Sequence, residues 1–272
     1  MSQGSGWMRH NGHCQPIDLK TDVPHSARIY DFILGGKDNF EADRTAAVEA
    51  IEQQPSLPAG MRSNREFMVR MTRFLVAELG IRQFLDIGTG LPTSPNLHEA
   101  AQQIAPETRV LYVDNDPIVL THARALLTSS PAGRTAYLNA DLRDPETIVD
   151  SRELRATLDL SRPVALTLIA ILQTIEDDDM ACVLVRRLLE PLVPGSVLGL
   201  TLVPDDPQVR AGAAIYRSRG LPMRLRGRAE VERFFDGLYV IEPGVVRTVQ
   251  WHPAHPVGRA LNHNYAGVAI KH

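Results

Sequence analysis

The residues of this sequence best suited to chemistry are acids at the ends of apolar runs. Phe84-Leu85-Asp86-Ile87-Gly88-Thr89-Gly90 runs into an acid and a glycine turn, and Val110-Leu111-Tyr112-Val113-Asp114-Asn115-Asp116-Pro117 ends in two more acids. In a nucleoside-binding α/β crevice the first strand enters a glycine turn and a helix N-terminus. The next strand there ends in a carboxylate that grips the two hydroxyls of a ribose. A third run, Tyr137-Leu138-Asn139-Ala140-Asp141-Leu142, brings another acid to a strand end, where it could accept from the exocyclic amine of adenine. One such acid can be a simple backbone cap, but two bracketing a glycine turn are harder to explain that way.

The turn itself narrows the ligand. A dinucleotide fingerprint is G-x-G-x-x-G, and its third glycine lets the helix pack close to the strand beneath a pyrophosphate. Here Gly88 and Gly90 match, but Thr93 takes the third place with Pro92 before it. Two glycines alone say little, because strand-to-helix turns use glycine for positive φ whatever the function. The sequence therefore offers groups for a sugar and a base without a pyrophosphate cradle, which fits S-adenosylmethionine better than a nicotinamide dinucleotide.

Short apolar runs alternating with helical patterns must position these groups, the signature of a parallel sheet covered on both faces. Strands are expected near 83–87, 109–114, 135–139, 163–170 and 196–202, with helices between them over about 95–104, from Pro117, and after Asp177-Asp178-Asp179. Those three acids suit a helix N-terminus and do not converge as metal ligands, so no metal site is expected. Before the sheet, residues 1–24 read as a flexible leader and 25–80 as a helical segment. Its helices run from Ser26 to the Gly35-Gly36 stop, over 41–53, and over about 61–79 after the break at Pro55 to Pro58. The domain proper is 81–272. It closes with a helix near 228–235, a strand near 238–242, a polar excursion holding Trp251, His252 and His255, and a strand near 265–271. No crossover helix separates the last two strands, so they should pair antiparallel at one sheet edge.

Composition bounds the remaining possibilities. With 272 residues, 44% hydrophobic and 22% charged, the chain can bury a full core. Its net charge of −3 gives no field favouring nucleic acid. The longest apolar run, Val164 to Leu172, is far short of the roughly 18 residues of a spanning helix, and the reading is cytoplasmic with no membrane. Two cysteines, Cys14 and Cys182, support neither a disulfide framework nor a thiolate metal site. Six arginines, Arg210, Arg217, Arg219, Arg224, Arg226 and Arg228, occur between Val209 and Arg228 without an acid. They could recruit an anionic substrate, but a solvated face is the commoner use of such a run.

Taken together, the motifs resemble a bacterial, actinobacterial-type S-adenosyl methyltransferase family long known only as a domain of unknown function. The resemblance is carried by His25-Ser-Ala-Arg-Ile-Tyr30-Asp-Phe-Ile-Leu-Gly35-Gly36-Lys-Asp-Asn39-Phe40 with Asp43-Arg44, by Phe84 to Thr93, and by Val113 to Pro117. It covers the chain from about His25 to the C-terminus. It implies an α/β, Rossmann-like, seven-stranded class I methyltransferase sheet with an antiparallel C-terminal hairpin and an N-terminal helical lid. Gly88 and Gly90 would then face the methionine part of the cofactor, and Asp114 would hold the ribose hydroxyls. Asn115 would lie beside the adenine, Asp141 with the Leu142 backbone would read the base edge, and Asp86 would orient the turn or the amino group. The segment from Arg28 to Asn39 would fold over the methionine end, with Tyr30, Gly36 and Asn39 closest. S-adenosylhomocysteine would be the product and a small molecule the acceptor.

Two departures qualify the expected chemistry. Gln173, in Ile169-Ala-Ile-Leu172-Gln173-Thr174, stands where an aromatic or histidine is expected in relatives, and the position borders the methyl-transfer site. The same stretch lacks the Asn/Asp-Pro-Pro-aromatic motif of enzymes that methylate nucleobase amines. Methyl transfer from a sulfonium needs chiefly an in-line nucleophile held at near-attack distance. A hydroxyl acceptor would gain from a base, for which His25, Tyr30, Asp38, His252, His255 and His263 are the candidates, none standing out. Two other readings stay open: a non-catalytic protein that binds or senses S-adenosylmethionine or S-adenosylhomocysteine, and, disfavoured by Thr93, a nicotinamide-dependent oxidoreductase.

Overall fold

The structure, a computed structural model, describes residues 20–126, 128–253 and 264–272. Most of the expected leader, together with Cys14, His255 and His263, lies outside the described residues. Three helices precede the sheet: α1 (Ser26–Ile33), α2 (Glu41–Gln53) and α3 (Leu57–Ala77). Helix α3 begins four residues before the expected start because Pro58 opens it instead of breaking it. A first-turn proline has no helical hydrogen bond to lose. The alternation that follows is β1 (Gln83–Ile87), α4 (Leu97–Gln102), β2 (Arg109–Asp114), α5 (Pro117–Leu126), β3 (Arg134–Asn139), α6 (Pro145–Val149), α7 (Arg152–Thr157) and β4 (Ala165–Ile169). After β4 come α8 (Asp178–Leu189), β5 (Val197–Leu202), α9 (Pro207–Ser218), α10 (Arg228–Glu232), β6 (Tyr239–Val240), β7 (Val246–Arg247) and β8 (Tyr265–Ile270).

The strands form one sheet in the order β3-β2-β1-β4-β5-β8-β6, with β7 paired to β8. The first five are parallel, and β8 runs antiparallel to both β5 and β6. The expected terminal pair is therefore present, and β8 is the inner member of it. The sheet has eight strands where seven were expected, because two-residue β7 adds a short antiparallel contact at Val246 and Arg247. From β1 the chain works outward to β2 and β3, then crosses to β4 on the other side of β1. At such a reversal the connections leave in opposite directions and open a crevice at the strand C-termini.

Alternate side chains of the central strands enter opposite layers. Leu85, Ile87, Leu111, Leu166 and Leu198 pack with α8, while Phe84, Val110, Tyr112 and Val197 pack beneath α3 and α4. Helix α3 lies so close that a Cβ on Gly199 of β5 would come within 2.4 Å of Met71 Sδ. Trp251 belongs to this layer and not to a polar excursion. It is fully buried, its ring meeting Phe67 and Phe74 edge-on at 5.4 Å, and Arg70 of α3 donates to the Thr248 carbonyl.

The arginine-bearing segment is mostly the solvated face expected of it, with Arg210, Arg217, Arg219 and Arg228 exposed, but it departs from that at Arg226 and in holding a helix. It contains α9, whose Val209, Gly212, Ala213 and Tyr216 form a buried face at i, i+3, i+4, i+7 spacing. Arg210 pairs with Asp205, Arg219 with Glu49 of α2, and Arg228 with Glu232. Arg226 is fully buried, its guanidinium donating to Asp178, the Leu172 carbonyl and the Ile175 carbonyl. The segment is consequently a strap of paired cations and not a free anion-binding face.

Candidate functional site

The C-termini of β1 to β4 open into a cavity of about 380 Å³, roofed by α1, α3 and α9. Asp86, Asp114 and Asp141 all line it, as do Gly88, Gly90, Asn115 and Leu142. The turn is tightly specified. Gly88 N donates to the Val113 carbonyl at 2.8 Å, and Gly90 N donates to Asp114 Oδ2 at 2.9 Å, so the second strand's acid holds the first strand's turn. Gly88 has φ +74°, and a Cβ there would lie 2.6 Å from the Ile171 side chain. Gly90 has φ +68° and open space where a Cβ would stand.

The acids sit in different environments. Asp86 is buried, accepts from Thr167 Oγ1 at 2.6 Å, and is raised to about 6, chiefly because burial penalises its charge. The hydrogen bond and the nearby Arg65 oppose that rise. Burial raises Asp114 as well, against the amides of Asp116 and Gly90 that hydrogen-bond its carboxylate. Asp141 goes the other way. It is more exposed, and Arg143, with Asn115 Nδ2 at 2.8 Å, holds it well below the usual carboxylate range. Asp141 thus stays ionised, with both carboxylate oxygens accepting from Arg143 and Oδ2 also from Asn115.

The lid residues divide into two groups. Tyr30 lines the cavity, donates to the Met61 carbonyl at 2.9 Å and accepts from Asn64 Nδ2 at 3.2 Å; burial raises its phenol. Gly36 and Asn39, expected nearest the cofactor, do not line the cavity; they brace Asp31, which does. Asn39 Nδ2 donates to Asp31 Oδ2 at 2.9 Å, and a side chain at Gly36 would overlap the Asp31 carboxylate. The dense motif there specifies the support of the wall, not the wall.

Among the candidate bases, His25 lines the cavity and caps α1, with Nδ1 3.2 Å from Asp116 Oδ2. That pairing joins residues far apart in sequence, so nothing local announces it. His252 lies on Trp251 and Phe74 with Nε2 at 2.8 Å from the Glu242 carbonyl, and Asp38 pairs with His122; neither lines the cavity. Gln173 does. Its Nε2 donates to the Ala170 carbonyl at 2.5 Å, while its Oε1 is buried without a partner. Sequence reasoning missed Met61, Asn64, Arg65 and Met68, which line the cavity from α3. Their i, i+3, i+4, i+7 spacing was the available signal, hidden by the stronger apolar stripe through Phe67 and Met71.

The reversal in strand order, the glycine turn and the acids around one cavity define a class I, nucleoside-binding methyltransferase fold. The sequence matches the S-adenosyl methyltransferase family over residues 12–272. A structure of a DUF574 family protein from Streptomyces avermitilis is 52% identical, covering 93% of this chain and 100% of that one with a TM-score of 0.90. A provisionally described methyltransferase from Thermobifida fusca is 41% identical over 95% of this chain and 99% of that one, with a TM-score of 0.88. No curated protein matches the sequence. The chain belongs to the S-adenosyl methyltransferase family, and S-adenosylmethionine is its cofactor. The residues suit that group: Gly90 has open space above it, and Asp86, Asp114 and Asp141 line the same cavity.

Proposed function

We propose that the protein transfers the methyl group of S-adenosylmethionine to a small-molecule acceptor bound beneath α1, α3 and α9. The observation that carries this reading is the convergence of Asp86, Asp114 and Asp141 with the Gly88–Gly90 turn on one cavity whose opposite end is walled by apolar groups. When bound, S-adenosylmethionine supplies an electrophilic methyl on a sulfonium, and nucleophilic displacement there needs positioning more than strong acid or base.

In this reading Asp114 accepts from the ribose hydroxyls while the Gly90 and Asp116 amides keep its carboxylate fixed. Asn115, Asp141 and Leu142 border the adenine. Asp86 faces the methionine amino group, and a cation there offsets the burial that raises its carboxyl. Arg65, next to the turn and bonded to the Pro95 carbonyl, suits the methionine carboxylate. Tyr30 and the roof helices exclude water from the reacting end.

The test has two stages. S-adenosylhomocysteine at a hundredfold excess over its dissociation constant should stabilise the chain by about 2.7 kcal/mol. Asp114→Ala should lose most of that gain, and an unchanged gain would move the ribose elsewhere. Formation of S-adenosylhomocysteine with any acceptor excludes a purely binding or sensing role; stabilisation by a nicotinamide dinucleotide alone would overturn the reading.

A further inference from the structure

The acceptor end of the cavity carries a chemical specification of its own. It is bounded by Leu57, Met61, Tyr216, Leu221 and Met223, which pack together with the inner faces of α1 and α2. Gln173 adjoins them, because its carbonyl accepts from the amide of Arg224, the residue after Met223. None of the six arginines of the strap lines the cavity. The cavity's own arginines serve the cofactor end: Arg65, held by the Thr93 and Pro95 carbonyls, is the partner proposed for the methionine carboxylate, and Arg143 pairs with Asp141. Asp31 Oδ2 accepts from the Asp38 amide and Asn39 Nδ2, and its carboxylate adds a negative charge to the wall. An anionic acceptor would lose its hydration against this wall and gain no counter-ion, which is costly.

Two polar atoms remain unsatisfied there. Gln173 is 7% exposed and Tyr216 5%, and Gln173 Oε1 and the Tyr216 hydroxyl are both buried with no partner. Buried polar atoms are nearly always paired, so two orphans on one cavity wall mark places for a ligand's polar groups. The bond from Gln173 Nε2 to the Ala170 carbonyl fixes the amide's direction and leaves its oxygen as an acceptor that calls for an O–H or N–H. The Tyr216 hydroxyl can donate or accept.

Resting on the methyltransferase reading, we infer that the acceptor is a largely apolar molecule without an anionic group that presents a hydroxyl or amine hydrogen to Gln173 Oε1 and a second polar contact to Tyr216. Phosphorylated, sulfated and carboxylate acceptors are excluded by the same wall.

The experiment uses the full chain saturated with S-adenosylhomocysteine and three probes built on one ring system: 1-naphthol, 1-methoxynaphthalene and 1-naphthyl phosphate. Binding is followed by ligand-observed NMR and calorimetry. 1-Naphthol should bind, 1-methoxynaphthalene should bind about tenfold more weakly because it leaves Gln173 Oε1 unpaired, and 1-naphthyl phosphate should not bind. Gln173→Leu should abolish the preference for 1-naphthol over its methyl ether. Tyr216→Phe, which removes a hydroxyl with no partner, should weaken 1-naphthol several-fold without lowering the melting temperature. Retained S-adenosylhomocysteine binding shows that each variant is folded. Binding of the phosphate, an unchanged preference in Gln173→Leu, an unchanged 1-naphthol affinity in Tyr216→Phe, or no binding of 1-naphthol overturns the inference. Failure of S-adenosylhomocysteine itself to bind overturns the methyltransferase reading instead.

Discussion

Replacing Asp86 by asparagine should make the unliganded protein more stable while making it a poorer binder. Asp86 is buried near the end of β1, and its carboxyl is raised from an ordinary 3.8 to about 6. A raised folded-state value means that the native state favours the protonated acid. The associated stability is complete below pH ~4 and is lost as the pH rises through about 6. Above that range the folded protein carries an ionised, desolvated carboxylate at a cost of about 3 kcal/mol, from ~1.4 kcal/mol per unit of displacement. Asparagine is nearly the same shape, keeps an oxygen to accept from Thr167 Oγ1, and never ionises. In parallel urea titrations the stability advantage of Asp86→Asn should be roughly half a kcal/mol at pH 4 and about 3 kcal/mol at pH 7.5, with unchanged m-values. Affinity for S-adenosylhomocysteine should fall by about tenfold or more at pH 7.5, through loss of a charge-assisted contact. The reasoning is refuted if the stability difference is independent of pH, or if the variant is the less stable protein at pH 7.5.

The two glycines of the turn should respond differently. Gly88→Ala meets the Ile171 side chain as well as an unfavourable φ and should cost about 2–4 kcal/mol, whereas Gly90→Ala meets open space and should cost about 1 kcal/mol. Thermal unfolding separates them, and equal losses would mean that the Ile171 contact is unimportant. Arg226→Met leaves two carbonyls without their guanidinium while Asp178 retains Arg224; it should cost about 3 kcal/mol in urea unfolding, and a loss under about 1 kcal/mol would contradict the buried role.

The sheet was legible because β1, β2, β4 and β5 are short apolar runs buried on both faces, whereas β3 is only partly buried. The antiparallel ending followed from a missing crossover helix. The cavity's acids were legible for the same reason, since a strand end fixes where its last side chain points. Features set by distant contacts were not. Helix α9 is masked by the arginine run that begins within it, and the arginines of that run find their acids on α2, α8 and the loop before α9. Nothing around Trp251 says that it reaches back to α3. Gly36 and Asn39 sit in a conspicuous motif, yet they act on Asp31, one residue behind the surface they were expected to form. The His25–Asp116 pairing likewise exists only once α1 lies over the end of β2.

The loop after β4 joins the two halves of the site. Ala170 has φ +54°, a conformation that an alanine adopts only when its surroundings require it, and its amide and carbonyl are held by Thr201 Oγ1 and Gln173 Nε2. The next residue, Ile171, fills the space that only a glycine at position 88 leaves free. Two residues further on, Gln173 offers its unpaired oxygen to the acceptor end, and its backbone is tied to Arg224 while Arg226 clamps the carbonyls on either side. Five residues therefore touch the cofactor turn at one end and the acceptor wall at the other. Loosening the arginine strap should shift both at once, because the strained loop has no other anchor on its acceptor side among these contacts. On the proposed function, selectivity for the acceptor is built from residues 57–61 and 216–226 but depends on the same loop that shapes the glycine turn.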